Sequence, residues 1–302
     1  MRIAVLGAGV MGGLYGAYLS EKNEVTLIGI IPEYAEKVNS RGLEVRTQTG
    51  VKTFWPTALS SPYTGSAVDL VLVFVKAMDT EVALTANKAL IGDDTYILTL
   101  QNGSGHEDTL SKFVDKDKVL IGTTLHNADA PELGVLNHKI GGATYFGQAF
   151  GGNADLTFIA DAFNSCGMEA YHSADVQKMV WNKLFINASS SALTGALGIP
   201  IGEVYTNPHA WAICQRLIKE MTQVAAAMGM SFDYDQKVEE IKGLCESNPT
   251  GLTSIYFDVK NGRRSEVDTI SGSVVRTGQK HGVPTPNHCC VVDFIKAKEL
   301  IK

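Results

Sequence analysis

The run RIAVL at residues 2–6 leads without a break into Gly7-Ala8-Gly9-Val10-Met11-Gly12 and then into GLYGAYLS. A glycine turn of the form G-x-G-x-x-G, placed between a buried strand and a helix, leaves few folds open. The first glycine permits the tight reversal and the second lets backbone approach a pyrophosphate. The third allows close helix–strand packing, and the helix N-terminus faces the anion. Gly7, Ala8, Gly9, Val10, Met11 and Gly12 are therefore the expected phosphate cradle, the alternative being a tight turn that holds no nucleotide.

The rest of the N-terminal half keeps the same grammar. EVTLI (24–28), DLVLVFV (69–75) and TYILTL (95–100) are apolar runs, with a helix opening at Pro32 and Glu33 and another that Asp79 could cap. Uniformly apolar strands alternating with helices imply a parallel sheet covered on both faces. VLIGTTL (119–125), GVLNHKIG (134–141) and ATYFG (143–147) follow at short spacing, so an antiparallel end to the sheet is expected. From about residue 174 only helical spacing is seen, with helices expected near 175–197, 207–229, 234–246, 252–260, 265–281 and 287–300. The predicted architecture is an α/β Rossmann domain, doubly wound with a mostly parallel sheet, over 1–173, then an all-α substrate-binding domain over 174–302.

Bulk properties narrow the partners. A chain of 302 residues with formal net charge −6 and no basic run is poorly suited to nucleic acid, whose binding relies on clustered cations. No apolar run approaches the roughly 20 residues of a membrane helix, and no signal-peptide layout opens the chain, so a cytoplasmic protein is expected. Five cysteines without a C-x-x-C pair suggest neither a disulfide framework nor a metal site. His126, His138 and His172 lack metal-ligand spacing. Where an acidic residue would mark NAD, or an Arg would mark NADP, the chain has Gly29-Ile30-Ile31, while Lys37 and Arg41 beyond it read as solvated charges.

One helical segment is chemically unusual. In WNKLFINASSSALTGALGIP (181–200), Lys183, Asn187, Ser191 and Thr194 fall within an arc of about 80° on an otherwise apolar helix. Such a face meets either water or a polar cleft, although Thr194 could simply bond to its own backbone. Asn102, in the turn-forming Gln101-Asn102-Gly103, and Lys76 each follow an apolar strand, at the edge where parallel sheets bind ligands. Ser104 with Glu107, and Ser265 with Asp268, have capping-box character.

VKAMDT (75–80), LQNGSG (100–105), GVLNH (134–138), WNKLFIN (181–187), LTSIYFDVKNGRRSEVD (252–268) and GVPTPN (282–287) recur in an order that resembles the ketopantoate reductase family across nearly the whole chain. The resemblance implies a Rossmann domain, a helical C-terminal domain of the 6-phosphogluconate-dehydrogenase-like type, and an active site in the cleft between them. It also implies NADPH-dependent reduction of 2-dehydropantoate to (R)-pantoate, a step toward pantothenate and coenzyme A. By position, Lys183 matches the catalytic lysine and Glu266 its partner. Asn187, Asn102 and Ser254 match substrate-binding residues, with Asn102 also on the cofactor side beside Lys76. Ser191 stands where the family usually has a second Asn, and Gly251 where it often has one; Ser191 is still expected to face the substrate.

Lys183 can supply a proton, or at least a positive field, to the oxygen of a keto acid as hydride reaches its carbon. What the resemblance implies is thus an anionic small-molecule 2-keto acid as substrate and NADP(H) as cofactor, with NAD possible. A homodimer is expected from the frequency of twofold assemblies. A related reductase of another keto acid, or a nucleotide-binding sensor without catalysis, would share the glycine turn; a sensor has no reason to retain both Lys183 and Glu266.

Overall fold

The structure is a computed structural model that describes residues 1–301, and the chain divides into two compact units. The first comprises Met1–Gln101 and His106–Met179; the second comprises Asn102–Gly105 and the residues from Val180 onward.

Twelve strands build the first unit: β1 Arg2–Leu6, β2 Glu24–Gly29, β3 Leu43–Thr47, β4 Gly50–Phe54, β5 Thr57–Ser60, β6 Leu70–Val73, β7 Tyr96–Thr99, β8 Val119–Thr124, β9 Asn127–Glu132, β10 Val135–Ile140, β11 Thr144–Gln148 and β12 Ala170–His172. Its helices are α1 Val10–Leu19, α2 Pro32–Arg41, α3 Thr80–Ala86, α4 Glu107–Leu110 and α5 Thr157–Asn164. The large sheet has the order β12-β11-β8-β7-β6-β1-β2-β5. From β5 to β8 every neighbouring pair is parallel; β11 then runs antiparallel to β8, as expected for the end of the sheet. Uniform burial explains the central strands: all of β6 and all of β8 are buried, and Val5, Leu27, Leu72 and Leu98 have no exposure.

The second sheet, β4-β3-β10-β9, corrects the expectation that the 134–141 strand joins the main sheet. Helix α1 packs against β1 and β2 on one side and β3, β9 and β10 on the other. It is therefore buried almost throughout and lacks a polar stripe. The strands absent from the sequence expectation have weak signals. Most of GVKTF is exposed, and NADAPE contains Pro, Asn and Asp, residues depleted from strands.

The second unit is helical: α6 Val176–Ile186, which begins at the end of the first unit, a π-helical turn at Asn187–Ser191, α7 Ala192–Leu197, α8 Ile201–Thr206, α9 Pro208–Ala227, α10 Tyr234–Ser247, α11 Ser254–Lys260, α12 Ser271–His281 and α13 Pro286–Leu300. The long α9 is central and touches α8, α10, α12, α13 and the π turn. Its start follows from local chemistry: Pro208 needs no N–H partner, and the Asn207 side chain accepts from the amides of His209 (3.0 Å) and Ala210 (3.2 Å). Trp181, Phe185, Leu217, Ile218, Met221, Val224 and Ile295 form the core. Among the described residues no helix is long and apolar enough to cross a membrane.

Three local expectations fail. Asp79 sits at the N-cap of α3 without a side-chain capping bond. Helix α4 starts at Glu107 with His106 at its N-cap, so Ser104 caps nothing and its amide donates to the Thr269 carbonyl at 2.9 Å. Helix α12 starts at Ser271, not 265. The Ser265 hydroxyl donates to Glu299 at 2.6 Å and Asp268 pairs with Lys296 at 2.5 Å, so tertiary partners remove both halves of the apparent capping box.

At the joint of α9 and α13, the His288 Nε2–H donates to the Leu217 carbonyl at 3.2 Å, which fixes the tautomer and leaves Nδ1 buried with no partner among the described residues. Burial pushes this imidazole from 6.5 down to about 4. An unfolded chain binds that proton near pH 6.5, so the stability contributed by neutral His288 should be lost as pH falls from 6.5 toward 4. Chemical denaturation of His288→Gln across that window should show a flatter pH dependence than the unaltered protein; an identical slope would assign acid sensitivity to other groups.

Candidate functional site

The glycine turn lies between β1 and α1. Gly7 has φ +107°, and a Cβ on Gly12 would lie 2.0 Å from the Gly7 carbonyl oxygen, so both positions require glycine. The amides of Gly7 and Ala8 donate to the Ile28 carbonyl at 2.9 and 3.2 Å, which ties the turn to the end of β2. Helix α1 has Gly9 at its N-cap without a side-chain bond, and the first amides of the helix, on Val10, Met11 and Gly12, have no acceptor inside it. Nothing lies within 4 Å of a Cβ built on Gly9. An open backbone surface at an uncapped helix start fits a dinucleotide pyrophosphate.

Lys76, exposed, follows β6 on the same edge as Gly7, since β1 and β6 are parallel in register. A buried polar bracket that no sequence motif announces holds this loop. The Gln101 amide nitrogen donates to the Val75 carbonyl (2.6 Å) and to Thr80 Oγ1 (3.0 Å), while Thr99 Oγ1 donates to Gln101 Oε1 at 2.7 Å. The only sequence signal for this role is a Gln at the end of an apolar strand, beside a turn that draws attention to Asn102 instead.

The remaining candidates belong to the second unit, including Asn102, whose short segment groups with the helices. That segment presses on the turn carrying Glu266. Thr269 Oγ1 donates to the Asn102 carbonyl at 3.4 Å, and Gly103 (φ +103°) could carry a Cβ only 2.2 Å from the Thr269 oxygen. The Glu266 carbonyl in turn accepts from the amides of Thr269 (3.1 Å) and Ile270 (3.0 Å). Asn102 and Glu266, far apart in sequence, are thus held on adjoining turns.

Lys183 and Asn187 are half-buried, with Lys183 in the last turn of α6 and Asn187 opening the π turn. Burial pushes the Lys183 ammonium from 10.5 down to about 8, while the charge of Glu266 acts in the opposite direction. Lysine and carboxylate are therefore electrostatic partners. The helix expected over 175–197 runs unbroken as α6, the π turn and α7, but the extra residue in the π turn changes the angular spacing assumed for Ser191 and Thr194.

Ser191 and Thr194 are buried, and the Ser191 carbonyl accepts from Thr194 Oγ1 (2.8 Å) and Thr253 Oγ1 (3.4 Å). Thr194 thus bonds back to its own helix, and its hydroxyl also meets that of Thr253 at 2.6 Å. Thr253 caps α11, so Ser254, exposed, is the first residue of that helix next to the Ser191 cluster. The second unit therefore gathers Lys183 with Glu266 and Asn102 in one group, and Ser191 with Ser254 in another. Gly7 to Gly12 and Lys76 belong to the first unit.

A Rossmann nucleotide fold followed in the same chain by an all-helical unit with a lysine–glutamate pair defines a two-domain nicotinamide-dependent oxidoreductase. The family model described as ketopantoate reductase PanE/ApbA matches residues 3–151, and its C-terminal counterpart matches residues 175–299. The 2-dehydropantoate 2-reductase of Halobacterium salinarum is 32% identical over 98% of this chain and 98% of its own. Among solved structures, a PanE/ApbA family ketopantoate reductase from Ralstonia eutropha JMP134 has a TM-score of 0.90 at 27% identity, covering 99% of this chain and 98% of that one. A ternary structure of D-mandelate dehydrogenase with NADH and anilino(oxo)acetate also has a TM-score of 0.90, at 28% identity and the same coverage. The chain belongs to the ketopantoate reductase family.

Proposed function

We propose that this protein reduces 2-dehydropantoate to (R)-pantoate with NADPH, in the cytoplasm, on the route to pantothenate and coenzyme A. Full-length similarity to named 2-dehydropantoate 2-reductases supports the substrate. The observation that carries the chemistry is the electrostatic partnership of Lys183 and Glu266, with the ammonium lowered to about 8.

A bound nicotinamide supplies the hydride to the keto carbon. Gly7 to Gly12 would hold its pyrophosphate, with Lys76 a cation on the same edge. Lys183 donates the proton to the oxygen that becomes the 2-hydroxyl, and the neutral amine recovers a proton from solvent. A donor titrating close to neutral pH remains mostly charged while giving up its proton readily, the compromise that general acid catalysis favours. Glu266 keeps that ammonium charged against the penalty of burial and orients the substrate hydroxyl. Asn102 and Asn187 position the substrate, and Ser254 with Ser191 receives its carboxylate. Large apolar side chains exposed on the helical unit, Phe257 at 44% and Phe294 at 61%, support a homodimer, which sedimentation would test.

The test is steady-state reduction of 2-dehydropantoate against a panel of branched and aromatic 2-keto acids over a range of pH. With 2-dehydropantoate preferred, kcat/KM should fall as pH rises through about 8, where Lys183 loses its proton. Glu266→Gln removes the charge that raises this pKa, so the falling limb should move to lower pH. A profile flat through pH 10, or preference for an aromatic keto acid, would overturn the assignment.

A further inference from the structure

We infer that the loop after β2 does not select for a ribose 2′-phosphate, so that NADH is accepted by this chain alongside NADPH; the inference rests on the nicotinamide-dependent reading above and sharpens it. In a Rossmann fold the end of the second strand meets the adenosine ribose, and an acidic residue or an arginine there decides between the two nucleotides. The turn that would hold the pyrophosphate is tied to this strand end through the Ile28 carbonyl, and a Cβ on Gly29 would lie 3.3 Å from that of Ala8. The residues immediately beyond are therefore the ones a bound ribose would meet.

Those residues carry no cation. Ile30 is 87% exposed and Ile31 47%, so Ile30 in particular stands open to solvent. The start of α2 offers an anion little. Pro32 has no N–H, and the amides of Tyr34 and Ala35 already donate to the Ile31 carbonyl at 3.2 and 3.4 Å. Glu33, exposed in the first turn, adds a negative charge beside this loop.

The cations on α2 do not compensate. Lys37 pairs with Glu132 at 3.4 Å, and Arg41 sits in the last turn, about 13 Å along the axis from Pro32. Lys76 belongs to another loop, after β6, and is no part of the loop after β2. From this loop a 2′-phosphate would thus gain none of the charge-assisted hydrogen bonds that usually distinguish NADPH, and nothing here would penalise its absence. Nor is there a carboxylate at the end of β2 itself to claim the ribose hydroxyls and exclude NADPH, which leaves the chain permissive rather than reversed.

The test titrates the full-length protein with NADH and with NADPH, following quenching of intrinsic fluorescence without keto acid, and repeats both titrations on Ile30→Arg. At an exposed position the arginine displaces nothing. The two Kd values should agree within about tenfold for the unaltered protein, and Ile30→Arg should shift their ratio about 10- to 100-fold toward NADPH, as one or two charge-assisted bonds would. An unaltered protein that binds NADPH more than about 100-fold tighter, or an Ile30→Arg ratio that does not move, would overturn the inference. Comparable Kd values with no turnover of 2-dehydropantoate by either nucleotide would support it while removing the proposed reaction.

Discussion

Lys183→Ala should lower kcat for 2-dehydropantoate by about 10³-fold while leaving nucleotide Kd within about twofold. A positioned general acid contributes roughly 10²–10⁴, and a preorganised charge facing a developing oxyanion contributes a comparable factor when water is excluded. Lys183→Arg separates the two effects: guanidinium keeps the positive field but does not release its proton near neutral pH. Recovery of most of the rate by Arg would show that field alone suffices; a rate as low as that of Ala would assign the role to proton donation. Undiminished turnover in Lys183→Ala would remove the lysine from the chemistry altogether.

The same substitution has a stability signature of opposite sign. An ammonium at about 8 in the folded protein and 10.5 in the unfolded chain opposes folding fully below pH 8, and that opposition fades as pH rises from 8 to 10.5. The shift corresponds to about 3 kcal/mol at most. Lys183→Ala should therefore be more stable than the unaltered protein at pH 7, with the difference shrinking toward pH 10. A catalytic group retained at the expense of stability shows this pattern.

Glu220→Ala should destabilise the folded chain by about 3–5 kcal/mol. The buried carboxylate comes from α9 and accepts from the amides of Asn287 (2.9 Å) and His288 (3.0 Å), and from the Asn287 side chain at 2.6 Å. Thr285, at the N-cap of α13, makes no side-chain capping bond and Pro286 has no N–H, so a distant glutamate caps this helix. Removing it strands buried donors at a helix start and withdraws the charge that complements the helix dipole. Thermal unfolding should shift down by roughly 10 °C, with Glu220→Gln losing less because one acceptor remains. A shift under about 2 °C would mean that the α13 start finds other acceptors.

The nucleotide half was the more legible in sequence because one local signal, strand followed by glycine turn and helix, covers both the fold and the ligand edge. Its second sheet was not, since Gly50–Phe54 and Asn127–Glu132 are largely exposed and lack the alternation that marks a half-buried strand. In the helical half, most helices were evident from periodicity and from Pro and Gly joints. What stayed hidden was tertiary: Ser265 answers to Glu299 and Asp268 to Lys296, partners that no local motif announces. Glu266 and Asn102 show the same limit. Each has the look of an ordinary turn or cap residue, and only Thr269, bonded to both turns, reveals that they adjoin.

The π turn at Asn187–Ser191 frees this segment to change in length. A regular helix is a rigid clock: deleting one residue rotates everything beyond it by about 100° and turns buried side chains to solvent. A wide turn is already one residue out of step, so the hands before and after it are set independently. Lys183 belongs to one setting and the Thr194–Thr253 contact to the other. Loss of a single residue between 187 and 191 would bring the two into ordinary α-helical phase, which makes this the place in the helical unit where length, as well as residue type, is a variable for evolution to tune.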